Sequence, residues 1–313
     1  MPVDSHESVA TRLSEPRLSA IVFVRDRIAY LDRTLQALSN LDSTGQIEVI
    51  VADGSSSGDG RQVAEQFPHV RYLGIQEATM PAAKAVGIRE ASSDLIAVLD
   101  GGVEVEGSWL GEALAAMEDG SLAAVGGAVV LDSIESAANR ALYLFEYGMF
   151  NPPLQDGPTE GDLPGNNVVY RRSWLLRDGD TLLDELGFNK PFIHERIRRS
   201  RGILALRQSM RVNHLVRYQF MEAATSRYHY GRCFGALRRQ RSPWPRKLLL
   251  LLGSPLVPLL LLVRHYRRAL NHPGNRRLLA GARGALAGIC LAWGLGECLG
   301  AWFGPGGSCE NLY

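Results

Sequence analysis

Between Leu18 and Val130, apolar runs of strand length alternate with stretches of helical period, and this alternation constrains the fold more than any other feature. "LSAIVFV", "IEVIVAD", "VRYLGI", "DLIAVLD" and "LAAVGGAVV" are the apolar runs. Between them lie "IAYLDRTLQALSN", which places Leu31, Leu35 and Leu38 on one helical face, and "RQVAEQF", "PAAKAVGIREA" and "SWLGEALAAM". Pro81 belongs in the first turn of its helix, where its missing N–H is no loss. Strands separated by helices of this length predict right-handed crossovers and a mainly parallel α/β sheet. Ligands of such sheets sit beyond the carboxyl ends of the strands. Asp26, Asp53 and Asp100 all fall at such ends, so the expected site is there.

The second half of the chain is different in kind. Of the 34 basic and 33 acidic residues, 20 basic residues but only one acid, Glu222, lie between Arg196 and Arg283. A block of one sign points to an anionic partner, either nucleic acid or a membrane surface. The apolar segments favour the membrane. Residues 248–263 read "LLLLLGSPLVPLLLLV", and residues 284–304 are apolar apart from Glu297. A bilayer-spanning helix needs about 20 such residues. Arg238, Arg239, Arg241, Arg246, Lys247, Arg264, Arg267 and Arg268 flank the first segment as interfacial anchors. Basic flanks on both sides, with Pro255 and Pro258 inside, predict a re-entrant or in-plane segment; a two-helix hairpin is the alternative. A nucleic-acid binder does not need the leucines. Residues 1–16 are polar, without the apolar core of a signal peptide, and read as a flexible tail. The four cysteines show no metal or disulfide spacing, which suits a reducing compartment. Residues 306–313 end in "ENLY" and read as a tag remnant.

Five motifs occur in a fixed order: "SAIVFVRDRIAYLDRTL", "IEVIVADGSSSGDG", "PAAKAVGIREASSDLIAVLDGG", "LPGNNVVYRRSWL" and "HERIRRSRG". In this order they resemble the family 2 glycosyltransferases, inverting enzymes of GT-A fold that use a nucleotide-sugar donor. The resemblance covers residues 18–240. It implies a Rossmann-like GT-A domain over residues 17–238, followed over 239–305 by a membrane-associated helical region like that of members acting on lipid-linked acceptors. Their Gln-x-x-Arg-Trp element, carried by polymer-making members, is missing here.

The resemblance also implies roles. Asp53 matches the aspartate that contacts the nucleotide base or ribose. Asp26 and Arg27 fall where the family has a polar pair after the first strand, here in a divergent "FVRD" setting. Lys84 stands where an arginine often faces the diphosphate, and offers a point charge rather than a two-pronged guanidinium. Asp100, followed by Gly101, matches the first acid of the Asp-x-Asp element. The second acid is replaced by Gly102, so the implied Mg²⁺ or Mn²⁺ rests on Asp100, with Glu104 or Glu106 as stand-ins. Gly165, Asn166 and Asn167 match a loop lining the donor-sugar and acceptor pocket, although Gly-Asn-Asn is also ordinary turn chemistry. His194 and Glu195 match the acid pair that supplies the acceptor base. Glu195 is the expected base, with Asp184 and Glu185 next and His194 behind them.

The resulting expectation is a membrane-attached glycosyltransferase at the cytoplasmic face of the plasma membrane. Its partners are a nucleotide-sugar donor, a lipid-linked acceptor and anionic lipids, with no nucleic acid. A polyprenyl phosphate is an alternative acceptor. A nucleotide-binding scaffold that lost its metal chemistry at Gly102 is the alternative of a different class. Donor base, sugar and oligomeric state are not written in the residues.

Overall fold

The computed structural model describes residues 15–41, 46–134, 136–177 and 181–312. The expected N-terminal tail lies almost wholly outside the described residues. The chain folds as α/β with a helical extension. Its strands are β1 (Leu18–Val24), β2 (Ile47–Asp53), β3 (Val70–Gly74), β4 (Leu95–Asp100), β5 (Val103–Val105), β6 (Leu122–Leu131), β7 (Gly157–Pro158), β8 (Asn167–Arg171) and β9 (Ile203–His214). The helices between them are α1 (Leu31–Leu41), α2 (Gly60–Ala64), α3 (Met80–Glu90), α4 (Trp109–Met117), α5 (Ala137–Glu146), α6 (Arg172–Leu175), α7 (Leu182–Leu186) and α8 (Lys190–Arg199). After β9 come α9 (Phe220–Gln240), α10 (Trp244–Gly253), α11 (Val257–Asn271), α12 (Pro273–Ala280) and α13 (Arg283–Phe303).

One sheet runs in the order β3-β2-β1-β4-β8-β6-β9-β5, with β7 beside β9. β1 pairs in parallel with β2 and β4, and β2 with β3. β8 is antiparallel to both β4 and β6, so β6 and its parallel partner β9 run the same way as β1. The sheet is therefore mainly parallel, as the alternating pattern predicts. Burial explains the pattern: every residue of β1 is buried, because helices cover both faces. One apolar core gathers Leu31, Leu35 and Leu38 of α1 with Val22 and Leu99, and the other gathers Ile88 of α3 with Ile21 and Val98. Alternate residues of β1 and β4 thus serve opposite layers.

Sequence periodicity missed β5, β7 and β9. β9 carries a bulge: Gly127 of β6 pairs with Arg207 and its neighbour Ala128 with Arg211. The extra residues break the two-residue period on which a strand is recognised.

The helical extension has two parts. Residues Trp244–Asn271 form one helical run of 28 residues, interrupted by a 3₁₀ turn at Ser254–Leu256 that takes Pro255 near its start. It does not turn back within the leucines, in contrast to the re-entrant expectation. Leu249, Leu252, Leu256, Leu259, Leu260 and Val263 are exposed along it, at the spacing of one helical face. α13 behaves otherwise and packs tightly on α9. A Cβ on Gly231 or Gly235 of α9 would sit 2.2 Å from the carbonyl oxygen of Trp293 or 2.3 Å from that of Glu297. On α13, Gly296 and Gly300 meet the carbonyls of Tyr228 and Arg232 at 2.2 and 2.0 Å. Four glycines, spaced four apart on each helix, bring the two backbones into contact. By length and composition, the Trp244–Asn271 run and α13 are able to cross a membrane.

The cysteine expectation is corrected here. Cys233 of α9 and Cys309 form a disulfide across 76 positions, a pairing that no local spacing announces. The segment before Tyr313 is packed as well: Leu312 is buried, and its carbonyl accepts from the backbone N–H of Met80 at 3.0 Å.

Candidate active site

The carboxyl edge of the parallel strands holds the predicted acids. Val24 is opposite Asp53 in the β1–β2 ladder, and Phe23 is opposite Asp100 in the β1–β4 ladder. The two aspartates therefore stand at the same edge, separated by one strand. Asp26 follows β1 in a left-handed conformation (φ 55°), mostly exposed, with Arg25 alongside at 3.6 Å. Arg27 forms an ion pair with Glu222 of α9 and lies over the Tyr218 ring, 4.1 Å from its centre.

Asp53 is buried and its carboxylate is fully engaged by its own neighbourhood. Oδ1 accepts from the Ser55 backbone N–H at 2.8 Å and the Ser55 hydroxyl at 2.5 Å, and Oδ2 from the Tyr72 hydroxyl at 2.9 Å. Burial, then the hydrogen bond to Asp53, pushes the Tyr72 phenol up to about 12. A Cβ on Gly60, at the start of α2, would lie 2.5 Å from Asp53 Oδ2. Glycine is needed there so that the loop 54–60 can close on the carboxylate.

Asp100 is partly exposed. Lys84 of α3, 3% exposed, donates from Nζ to Asp100 Oδ1 at 2.6 Å and to the Gly165 carbonyl at 3.2 Å. One buried ammonium thus ties the end of β4 to the 165–167 loop. Gly101 donates its N–H to the Phe23 carbonyl at 2.7 Å, which holds the turn after β4 against β1. Beside this group lies His214 of β9, fully packed. Burial first, and Arg27 in addition, push its imidazole down to about 4 against the opposing pull of Asp100.

The three loop residues differ. Gly165 supplies the carbonyl for Lys84. Asn166 is buried and makes no hydrogen bond through either amide atom. Buried amides are almost always paired, so an unpaired one at the edge of a site marks a place for a ligand or water. Asn167 has no such freedom. Its Nδ2 donates to the carbonyls of Ala128 and Met210 at 2.9 and 2.8 Å, and Trp109 donates to its Oδ1 at 2.8 Å. It clamps the bulge of β9 rather than offering its amide to a pocket.

α8 brings a second charged group that sequence reasoning did not find. His194 is buried, with Nε2 2.6 Å from the Tyr170 hydroxyl and Nδ1 2.9 Å from Asp162 Oδ1. Burial lowers the proton affinity of His194. A neutral imidazole fits the contacts, donating from Nδ1 to the carboxylate and accepting from the phenol at Nε2. Burial works to raise Asp162, but the hydrogen bond from His194 and the charges of Lys190 and Arg198 outweigh it and hold the acid down to about 2. Lys190, in the first turn of α8, donates to the Leu163 carbonyl at 2.9 Å and is close enough to feel Asp162, Lys84 and Asp100. The signal for Asp162 and Lys190 was present in "EGDLPGNN" and "GFNKPF", but nothing local ties the two stretches together.

The other predicted acids stand apart. Glu195 pairs with Arg199 one turn on, at 2.6 Å, on an exposed side of α8, and makes no hydrogen bond to the Asp100 group. Asp184 is exposed and pairs with Arg89 of α3. Glu185 pairs with Arg241 at 2.8 Å, beyond α9. Glu104 and Glu106 pair with Arg33 at 2.8 Å and Arg211 at 3.2 Å.

The donors around Asp100 do not fit a divalent ion held by the protein. Gly102 stands in place of the expected second acid, and a Cβ there would meet Val216 Cγ2 at 2.1 Å, so a side chain would require Val216 to move. One oxygen of Asp100 is already committed to an ammonium, and no group of three or more His, Cys, Asp or Glu able to hold a metal occurs among the described residues.

An α/β sheet with its acids and a buried lysine at the carboxyl edge, extended by helices, is the architecture of a GT-A glycosyltransferase. The sequence profile of glycosyl transferase family 2 matches residues 19–178, just over half of the 313 residues, and the chain belongs to that family. It is a glycosyltransferase. Among solved structures it is similar to the mannosyltransferase PcManGT from Pyrobaculum calidifontis in complex with GDP-Man and Mn²⁺. The likeness has a TM-score of 0.56 at 15% identity and covers 92% of this chain and 87% of that one. TarS residues 1–349 from S. aureus align at a TM-score of 0.47 and 12% identity, over 90% of each chain. Only the first of these two is near enough to speak for the fold. No curated protein matches the chain.

Proposed function

We propose that the protein transfers one sugar, with inversion, from a nucleotide-sugar to a lipid-linked acceptor at the cytoplasmic face of the plasma membrane, in polysaccharide or glycolipid assembly. The observation that carries this reading is the Lys84–Asp100 pair, closed at 2.6 Å on the sheet edge and joined to Gly165. A ribose or diphosphate approaching that edge meets a part-exposed carboxylate and an ammonium held in place. Asp53 shapes the base end of the cleft by holding the 54–60 loop closed. Asn166 lines the sugar pocket with its unpaired amide. Asp162, held down at about 2, is too weak a base to take the acceptor proton, and Glu195, the base expected from the sequence, would reach the acceptor only on leaving its Arg199 pair on the exposed side of α8. That PcManGT was captured with GDP-Man supports a nucleotide-sugar as donor class.

Residues 17–238 are the catalytic unit and 239–305 the membrane region, with α9 crossing from one to the other. The exposed leucine face of Trp244–Asn271, between Arg246 and Lys247 on one side and Arg264 and Arg267 on the other, supports attachment to an anionic bilayer. The Cys233–Cys309 bond weighs against a reducing face, so the side is tested by accessibility labelling of engineered cysteines in intact and opened vesicles. A polyprenyl phosphate and a polyprenyl-diphosphate glycan are both acceptors of suitable chemistry.

The experiment is a thermal-shift panel of UDP-, GDP- and dTDP-sugars on the detergent-purified chain, followed by turnover with lipid acceptors. One donor raising the midpoint and being consumed supports the reading. Binding without any turnover would favour the scaffold alternative, which the crowding of Gly102 by Val216 motivates. No binding by any donor removes the reading.

A further inference from the structure

The ill fit for a metal raises the question of what offsets the charge of the leaving nucleoside diphosphate. Two ammonium groups face the same edge. Lys84 is fixed by Asp100 and Gly165, and lies among the rings of Phe23 and Phe188, 5.7 and 5.9 Å from their centres. Lys190 comes from another element, and the chain takes care over its position. The turn before α8 is docked on the start of α3: Phe188 donates its N–H to the Pro81 carbonyl at 2.7 Å, and Gly187 (φ 60°) has its Cα against that same carbonyl. A Cβ there would lie 2.4 Å from the Pro81 oxygen, so only glycine permits the contact. Lys190 follows two residues after Phe188, and its side chain passes Gly165, where a Cβ would stand 3.6 Å from Lys190 Cδ. Gly165 is therefore flanked by both lysines. Of three N–H donors, Lys190 uses one, on Leu163, and Lys84 uses two.

We propose that Lys84 and Lys190 together form a two-ammonium clamp for the donor diphosphate, which supplies the positive charge that a divalent ion would bring and makes donor binding independent of metal. The proposal rests on the nucleotide-sugar reading above. As the bond from the anomeric carbon to the diphosphate oxygen breaks, its electron pair stays on that oxygen. The acceptor oxygen forms the new bond and gives its proton to the base. The added negative charge on the leaving diphosphate is met by the free N–H groups of the two lysines, fixed beforehand on backbone carbonyls. Burial lowers the proton affinity of Lys190, and the charges of Asp162 and Asp100 oppose that loss.

The test is calorimetric titration of the detergent-purified full chain with UDP, GDP and dTDP, in excess EDTA and again with Mn²⁺. The expected result is one nucleotide that binds with affinity unchanged, within about threefold, by EDTA. Lys190→Gln is expected to weaken it by roughly tenfold or more, and Lys190→Arg to retain it, as removal of one charge-assisted contact implies. Binding that vanishes in EDTA and returns with Mn²⁺ overturns the clamp and leaves the nucleotide-sugar reading intact. Binding in EDTA that Lys190→Gln does not change removes Lys190 from it. If no nucleoside diphosphate binds under either condition, both readings fall. Should Lys190→Gln melt well below the parent chain, the EDTA titration of the parent and the Lys190→Arg variant still decide.

Discussion

Asp53 and Asp100 end neighbouring parallel strands on either side of β1, yet the fold uses them in opposite ways. Asp53 spends its carboxylate inward: Ser55 and Tyr72 occupy both oxygens, and Gly60 packs against it. Asp100 turns one oxygen to a buried lysine and stays partly exposed, close to His214, while that lysine also holds Gly165, the residue before the unpaired Asn166. The contrast teaches that an acid at a strand end is a position and not yet a role. The first acid builds the wall of the cleft and the second is available to what enters it.

The largest expected effect tests which half of the Lys84–Asp100 pair depends on the other. Asp100→Ala leaves a buried ammonium with only a carbonyl for company, and loss of about 3 kcal/mol or more of stability is expected. Lys84→Met leaves a carboxylate that water can reach, and the loss should stay below about 1 kcal/mol. Denaturant titrations of the two variants measure the asymmetry; equal losses would mean that Asp100 is not the exposed partner. Asp100→Asn keeps an acceptor for Lys84 and should fold, with turnover down by about a hundredfold if the charge acts on the donor.

Next in size is a pH effect that His214, beside Asp100, shares with the buried His194 of α8. His214 titrates near 4 in the folded chain and at its ordinary value of about 6.5 when unfolded. Below the unfolded value the unfolded chain takes up a proton that the folded chain refuses. Stability is therefore full above about pH 6.5 and declines until about pH 4, by on the order of 3 kcal/mol. Asp162 extends the decline to lower pH, since its depressed acid is protonated last in the folded state. Measured between pH 7 and 4, His214→Asn should flatten the slope; an unchanged slope would place the buried proton elsewhere.

How much of this was legible follows from the same contrast. The strand runs, the crossovers and the three strand-end acids were visible because each depends on a few consecutive residues. The helix 284–304 was visible by its apolarity, but not its partner, because Gly231, Gly235, Gly296 and Gly300 acquire meaning only when two helices 60 residues apart touch. Glu195 looked like the acid of a pair beside His194, yet a helix turns by a hundred degrees between neighbours, and one faces Asp162 while the other faces Arg199. Asp162 and Lys190 were given no role by the sequence, and the docking of Phe188 on Pro81 is what gives them a common address.

The smallest effect belongs to the wall. Tyr72→Phe removes one hydrogen bond from Asp53 and leaves the Ser55 contacts in place, so stability should fall by about 1 kcal/mol. Tyr72 is half-buried, and water can replace its hydroxyl in part, which keeps the loss at that level. Gly60→Ala acts on the same carboxylate from the other side, at 2.5 Å, and must displace it from both partners. It should therefore raise the KM for the donor severalfold while kcat changes little, since a loosened loop 54–60 weakens ground-state and transition-state binding alike. Steady-state kinetics of the two variants separate the cases. A fall in kcat with KM unchanged would mean that Asp53 acts on the reacting centre, and the division between wall and working acid would not hold.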